Sequence, residues 1–312
     1  MSDLLSPPIE VEPLEFGDVT EPQQWPPIKT SLVVASYNIR YARGPFLISG
    51  GVLRKLGMLP SRQRTRTISE NVQAAARAFT DGKLLPSVDI LALQEADKRT
   101  VRSGGVHVAR ELASAMRMSW VHAPAGIPRG VKPVQREWWL DFEEPIQLFD
   151  EGDTGVSLIS RYSLSSVTRI DLPWKRCLWR PRVAVAASIR LRDTDVRVVS
   201  VHVDPHAASN GQLEQLEVIT QHAAQSKGPA VILGDFNTLS KQKCSDTRQF
   251  LEDRGYTTPM PTGTATWRGA GLRLHADWIF TRDLTISRWG VARPLNVSDH
   301  WPVWAEIEVP AE

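Results

Sequence analysis

The feature that most constrains this chain is a recurring pairing. Short apolar runs end in, or are approached by, residues that are costly to bury. Leu32–Ser36 runs into Asn38, and Val88–Leu93 runs into Gln94 and Glu95. Val196–Val201 leads to His202 and Asp204, and Ala230–Leu233 leads through Gly234 to Asp235 and Asn237. Asp277 lies in His275-Ala276-Asp277-Trp278-Ile279-Phe280, and Asp299 and His300 precede the run that begins at Pro302. Runs this short, bounded by turn residues, predict strands. An amide, carboxylate or imidazole at the end of a core strand needs a partner there. Taken singly, each is more often a turn or cap residue than a ligand. As a set, they point to one site assembled from several strand ends.

The segments between these runs carry helical spacing. Thr67–Phe79, closed by Asp81-Gly82, is predicted helical, as are Val106–Met116, Gln212–His222 and Asp246–Asp253. Further strands are predicted at Trp120–His122, Val156–Ser160, Ala276–Thr281, Leu284–Val291 and Pro302–Val309. Val183–Leu191 and Val196–Val201 form a strand pair turning at Arg192–Asp195. Hairpin neighbours mixed with helices predict mixed sheets with helices outside, not a doubly wound parallel sheet. Pro124–Asp153, rich in Pro, Trp and charge, reads as a loop insertion.

Charge divides the chain. Residues 1–28 hold six acidic side chains and no Lys or Arg, and six prolines, so residues 1–30 are expected to form an extended acidic arm. The domain proper is then 31–312. With 37 basic and 35 acidic residues in total, everything after the arm sums to +8, which suits a polyanionic or phosphorylated ligand. The bland alternative is a solvated arginine-rich surface, and charge alone favours it. Arg54, Lys55, Arg62, Arg64 and Arg66 are either phosphate-binding or a solvated loop. Two cysteines, Cys177 and Cys244, make neither a disulfide framework nor a zinc site. There is no run of 18 apolar residues and no basic-then-apolar leader, so no transmembrane segment is expected and the location is expected to be cytoplasmic. No protein partner is evident.

The ordered set resembles the endonuclease/exonuclease/phosphatase superfamily of DNase I-like metal-dependent phosphohydrolases. Its marks are an early strand ending in Asn, a strand ending in Gln-Glu, a strand ending in His, Gly-Asp-Phe-Asn, an Asp before an apolar strand, and Ser-Asp-His. All occur here in that order between Ser31 and Val309. The resemblance implies a four-layer α/β/β/α sandwich of two mixed sheets with flanking helices. It implies a Mg²⁺-dependent (Mn²⁺ possible) phosphoric ester hydrolase that activates water for in-line attack. Carried over residue by residue, Glu95, Asn38 and Asp299 would hold the metal. Asp235 would take the proton of the attacking water, and Asn237 would orient that water or the phosphate. His300, paired with Asp277, would contact the phosphoryl oxygen, and His202 would bind phosphate or protonate the leaving oxygen.

Other residues carry blander expectations. Asp204 reads as a turn residue before Pro205, His206 as exposed, and His107 and His222 as surface positions on helices. His122 is a weak substrate-contact candidate. The expected substrate is phosphorylated, either nucleic acid or a phospholipid headgroup. A phosphodiesterase or nuclease comes first. A lipid-headgroup or GPI-type phosphodiesterase or phosphomonoesterase is the alternative, and a silent binding scaffold ranks below both. The motifs depart from the inositol 5-phosphatase pattern, reading Gly-Asp-Phe-Asn-Thr and His-Ala-Asp-Trp, and the tyrosine-bearing segment of abasic-site endonucleases is missing. Substrate contacts are expected from the Trp- and Arg-bearing loops, at Trp138, Trp179 and Arg180, where rings would stack bases and guanidinium groups hold phosphates.

Overall fold

A computed structural model describes residues 13–18, 31–45, 61–128, 146, 149–173 and 181–308. Trp138, Trp179, Arg180, Cys177, Arg54 and Lys55, and most of the expected insertion, lie outside the described residues. Two large sheets form the centre. The first is built from β1 (Glu15–Gly17), β2 (Ser31–Asn38), β3 (Ile90–Gln94), β4 (Ser119–Pro124), β5 (Gly155–Ser160), β13 (Ile286–Val291) and β14 (Val303–Glu308), in the order β1-β4-β5-β3-β2-β14-β13. The second contains β6 (Ser165–Asp171), β7 (Val183–Leu191), β8 (Thr194–His202), β9 (Ala230–Asp235) and β12 (Asp277–Arg282), in the order β12-β9-β8-β7-β6. A small hairpin, β10 (Trp267–Gly269) with β11 (Leu272–Leu274), stands apart. Only β2–β3 and β8–β9 run parallel; the other pairs of described strands are antiparallel.

Strand alternation determines which side chains meet. In β2, Leu32 and Val34 pack into the core shared with the second sheet, whereas Val33, Ala35 and Tyr37 face the helices. In β3, Ile90 and Ala92 face the other sheet, and Leu91 and Leu93 face the helices. The helical layer is α1 (Ser61–Thr80) and α2 (Val108–Met116), whose Ile68, Val72, Phe79 and Leu112 fill this second cluster. On the far side α3 (Ser209–Ala224) and α4 (Lys241–Glu252) cover the second sheet through Leu216, Ile219 and Leu251. The result is the α/β/β/α sandwich. Burying one such aliphatic side chain contributes about 1.5–3 kcal/mol, and a one-residue slip of β2 would turn the whole set over. That period of two leaves Ser36 and Asn38 on the face that meets the second sheet.

Several boundaries moved. α1 begins six residues before the predicted Thr67, and β3 runs to Gln94 rather than ending at Leu93. α4 starts at Lys241 instead of Asp246, because Ser240 caps it by accepting from Lys243 N at 3.2 Å. The strand β6 and the hairpin β10–β11 were not anticipated. In the acidic arm, residues 13–18 are described, and three of them form β1 on the edge of β4. Glu15 pairs there with Lys98 and lies 3.1 Å from His107 Nε2. His107 is therefore not a surface residue. It is 1% exposed, caps α2 by accepting from Arg110 N, and burial holds its imidazole below the ordinary range. His206 is likewise buried, not exposed, and His222 is half-buried. Among the described residues no helix is long and apolar enough to cross a membrane.

Candidate active site

The two parallel strand pairs point their carboxyl ends to the same mouth between the sheets. Asn38 is level with Gln94 across β2–β3, and His202 is level with Asp235 across β8–β9. Asp277, the first residue of β12, lies opposite Asp235 from the other side. Beneath them a buried polar chain joins the sheets. Ser36 Oγ donates to Gln94 Oε1 at 3.3 Å, and Gln94 Nε2 donates to Ser200 Oγ at 3.3 Å. Ser200 shares its strand face with His202, so this chain places the imidazole over the first sheet.

Asp235 is the hub. Asn38 Nδ2 donates to its Oδ2 at 2.9 Å and to Glu95 Oε1 at 3.2 Å. His202 Nε2 and His300 Nε2 lie 3.6 and 3.7 Å from the same Asp235 oxygen. The other oxygen accepts from the Asn237 backbone N–H at 2.9 Å. Burial raises the Asp235 carboxyl to about 7; the charge of His300 and the Asn38 amide oppose the rise, and Asp277 adds to it. Burial works against charging His300 as well. There the Asp277 and Asp235 carboxylates outweigh it and push the imidazole up to about 10, with His300 Nδ1 bonded to Asp277 Oδ2 at 2.9 Å. His202 has a different neighbour: Arg182 Nη1 lies 3.1 Å from both ring nitrogens. A guanidinium only donates, so the imidazole accepts from it.

The remaining expected residues sit around this hub. Glu95 and Asn237 take left-handed backbone conformations, φ 49 and 50, just past the ends of β3 and β9. Such positions cost on the order of 1–3 kcal/mol and persist when neighbours dictate them. The Glu95 carbonyl accepts from Tyr41 N, and Asn237 Nδ2 donates to Val203 O at 2.8 Å. Gly234 is needed because a Cβ would collide with the Val201 backbone oxygen of β8. Asp299 lies one step out, accepting from Trp267 Nε1 at 3.1 Å and from Ser298 Oγ at 3.1 Å. Asp204 is a buried turn residue that accepts from His206 N. His122 does not open on the site: it is fully buried and bonded to Ser157 Oγ.

Two arginines were missed. Arg40, 4% exposed, brings Nη1 to 3.6 Å from Asp299 Oδ2; its signal was an arginine two residues beyond the strand-end Asn38. Arg182 stood inside a Trp- and Arg-bearing loop expected to contact substrate, in which Trp179 and Arg180 were singled out instead.

Asp235, Asp277 and His300 hold ligand atoms within 4.8 Å of one another, a spacing one cation could bridge. Asp277 and His300 are already hydrogen-bonded to each other, and a protonated imidazole does not ligate. Nearby, Glu95 accepts from Asn38 Nδ2 at 3.2 Å, and Asp299 is reached by Arg40.

A model of the endonuclease/exonuclease/phosphatase family matches residues 35–300, from β2 to His300. The chain belongs to this family. Enzymes of this family hydrolyse phosphoric esters and usually depend on a divalent metal. A stretch of 95 residues is 30% identical to a UPF0294 protein of Yersinia enterocolitica, covering 30% of this chain and 35% of that protein, so the match spans about a third of that relative's length. Among solved structures, a mannosyl-6-phosphatase of Bacteroides thetaiotaomicron superposes with TM-score 0.54 at 17% identity, covering 88% of this chain and 99% of that one. TDP2 of D. rerio, complexed with a single-strand DNA product, gives TM-score 0.54 at 13% identity over 90% and 100%. These likenesses are likenesses of fold.

Proposed function

We propose that this family member is a Mg²⁺-dependent phosphodiesterase, with Mn²⁺ as a substitute, acting on a nucleic-acid-type phosphodiester. The observation that carries the reading is the Asp235 hub. A carboxyl raised to about 7 is poised near operating pH to accept a proton, and a charged and an arginine-bonded imidazole flank one of its oxygens.

In this reading Asp235 takes the proton as the water oxygen bonds to phosphorus and the ester oxygen leaves. The Asn38 amide and the Asn237 N–H keep the carboxylate oriented, and the Asn237 side chain, with Nδ2 tied to Val203, offers its remaining oxygen to the water. His300, held as a cation by Asp277, meets the charge that builds on the phosphoryl oxygens. His202 accepts from Arg182 at one ring nitrogen and donates from the other to a phosphoryl oxygen. The Glu95 and Asp299 carboxylates suit a hard cation. Asn38, expected as a ligand, turns its Nδ2 to Glu95 at 3.2 Å while its Oδ1 accepts from Arg40 N at 3.0 Å, so in this arrangement it orients the Glu95 carboxylate. When bound there, Mg²⁺ supplies charge neutralisation for the phosphate. Asp277 Oδ1 is buried without a hydrogen-bond partner, but its other oxygen is bonded to His300, which marks Asp277 as an orienting group and not a ligand.

The test is hydrolysis of bis-p-nitrophenyl phosphate, single-stranded DNA, RNA and phosphorylated headgroups, with EDTA and with added Mg²⁺ or Mn²⁺. The expected result is p-nitrophenol release and strand cleavage that stop with EDTA and return with metal. Full turnover in metal-free buffer overturns the metal assignment. Turnover of monoesters or headgroups alone overturns the nucleic-acid reading.

A further inference from the structure

Beside His202, between the ends of β5 and β7, lies a narrow, partly open cleft. Thr154 and Gly155 of the first sheet line one side, Pro181 and Arg182 of the second sheet line another, and Ala125 and His202 complete it. The hub described above uses none of this cleft except His202.

Arg182 is 5% exposed, and its guanidinium is only half employed. Nη1 contacts His202, whereas Nε and Nη2 are buried without a hydrogen-bond partner. Thr154 Oγ1, in the wall of the same cleft, is buried and unpartnered too. Among the described residues Arg182 has no carboxylate partner. A buried charge with unmet donors is costly, on the order of several kcal/mol before relaxation. Other buried arginines are better employed: Arg102 is matched by Asp97 through two bonds of 2.6 and 2.8 Å, and Arg197 donates from both Nη1 and Nη2 to Ser166, Ser188 and Thr168 oxygens.

The two idle nitrogens are the informative ones. Nε–H and the adjacent Nη2–H point the same way and form the fork that grips two oxygens of one phosphate or carboxylate. That fork opens away from Nη1, hence away from His202. With ordinary hydrogen-bond lengths, an anion gripped there sits roughly 8 Å from the His202 ring. It is therefore a different group from the phosphate that His202 touches.

Both walls are stiff. The Asp153 carboxylate accepts from Gly126 N, Ile127 N and Thr154 N, and Ala125 N donates to Thr154 O at 2.7 Å. The Arg182 carbonyl accepts from Leu172 N at 3.0 Å. The backbone that carries both side chains is held in place before any ligand arrives, which lowers the ordering cost of binding.

We propose that Arg182 and Thr154 form a subsite for a second phosphate group of the substrate, one linkage away from the phosphate that is cleaved. The subsite rests on the phosphodiesterase reading and narrows it to substrates bearing two phosphates in sequence. Two sources present that chemistry: the next diester of a nucleic-acid strand, and a terminal phosphomonoester on a single nucleotide or headgroup.

The experiment uses three p-nitrophenyl esters of thymidine 5′-phosphate on the full chain with Mg²⁺: one with a free 3′-hydroxyl, one with a 3′-phosphate, and one joined through its 3′-phosphate to a second thymidine. In the parent enzyme at least one two-phosphate ester is expected to exceed the one-phosphate ester in kcat/KM by roughly 10- to 100-fold, the worth of a charge-assisted pair. The better of the two identifies the monoester or the backbone diester as the group recognised. Arg182→Ala is expected to bring that ratio to about 1, whatever it costs on the one-phosphate ester through His202. Arg182→Lys, which keeps the charge and loses the fork, should fall between, and Thr154→Val should lower the ratio by a smaller factor.

A parent ratio near 1, or a ratio unchanged in both arginine variants, overturns the subsite. No p-nitrophenol from any ester in the parent is instead the failure of the phosphodiesterase reading. In that event calorimetric titration with inorganic pyrophosphate decides the subsite by itself. Binding about tenfold weaker in Arg182→Lys than in the parent supports it, and equal binding overturns it.

Discussion

The two histidines that flank Asp235 are equivalent in distance and opposite in support. His300 comes from the loop before β14 in the first sheet and is backed by the Asp277 carboxylate at 2.9 Å. His202 ends β8 in the second sheet and is backed by the Arg182 guanidinium at 3.1 Å. Both reach the same Asp235 oxygen, at 3.7 and 3.6 Å. A carboxylate neighbour makes an imidazole a cation, and a guanidinium neighbour makes it an acceptor. One residue type thus does two jobs in one site, and the difference lies one contact further out.

The hub itself should show the largest effect. Asp235→Ala is expected to cut turnover roughly 10²- to 10⁴-fold, the range for a lost general base, with the melting transition retained. A variant as fast as the parent removes Asp235 from the chemistry, and the comparison of its flanking histidines loses its centre.

Next come the histidines. His300→Ala should lower kcat within the same roughly 10²- to 10⁴-fold range, since a charge that meets the transition state is lost. His202→Ala should cost less, about 10-fold to 10²-fold, because one hydrogen-bond donor to the phosphate is removed. Steady-state kinetics of the two variants on one substrate rank them, and the reverse order breaks the assignment of charge to His300.

Asp277→Asn sharpens the same point without removing a ring. It should reduce kcat less than His300→Ala and bring the His300 pKa down from about 10, read from the imidazole proton resonances of the metal-free protein. The sign for stability follows. A folded pKa of about 10 above an ordinary 6.5 means the native state holds the proton more tightly. The His300 contribution is then fully present below 6.5 and is lost as the pH climbs through about 10. Urea unfolding near pH 6 and near pH 10 should show a smaller drop in Asp277→Asn than in the parent.

The smallest effect concerns the joint between the two sides. Gln94 ties Ser36 of β2 to Ser200 of β8, directly below the histidine-bearing strand ends. Gln94→Leu leaves two buried hydroxyls short of a partner and should cost about 1–3 kcal/mol in denaturant unfolding. Turnover should fall by less than tenfold, as His202 shifts relative to the first sheet. Unchanged stability would mean that apolar packing alone aligns the sheets.

Much of this arrangement was legible before any fold was known. Short apolar runs placed Asn38, Glu95, His202 and Asp235 at the ends of strands and Asp277 and His300 at or before the start of others, and their order carried the family. Local chemistry also explains Gly234 and the turn at Asp204. It misread His107 and His206 as exposed, because a histidine on a helix or in a turn looks the same whether or not another segment covers it. Glu15, 92 residues away, comes onto the edge of β4 beside Lys98 to cover His107. The contacts that build the candidate site are of the same kind: Asp277 and His300 are 23 residues apart, Arg182 and His202 are 20, and Asn38 and Asp235 are 197. Sequence determined what each strand end carries, since covalent alternation sets which face a side chain takes. Only the packing of two sheets decided which strand ends meet, and so which histidine faces an acid and which an arginine, because those contacts depend on inter-sheet distance and register that no local run of residues encodes.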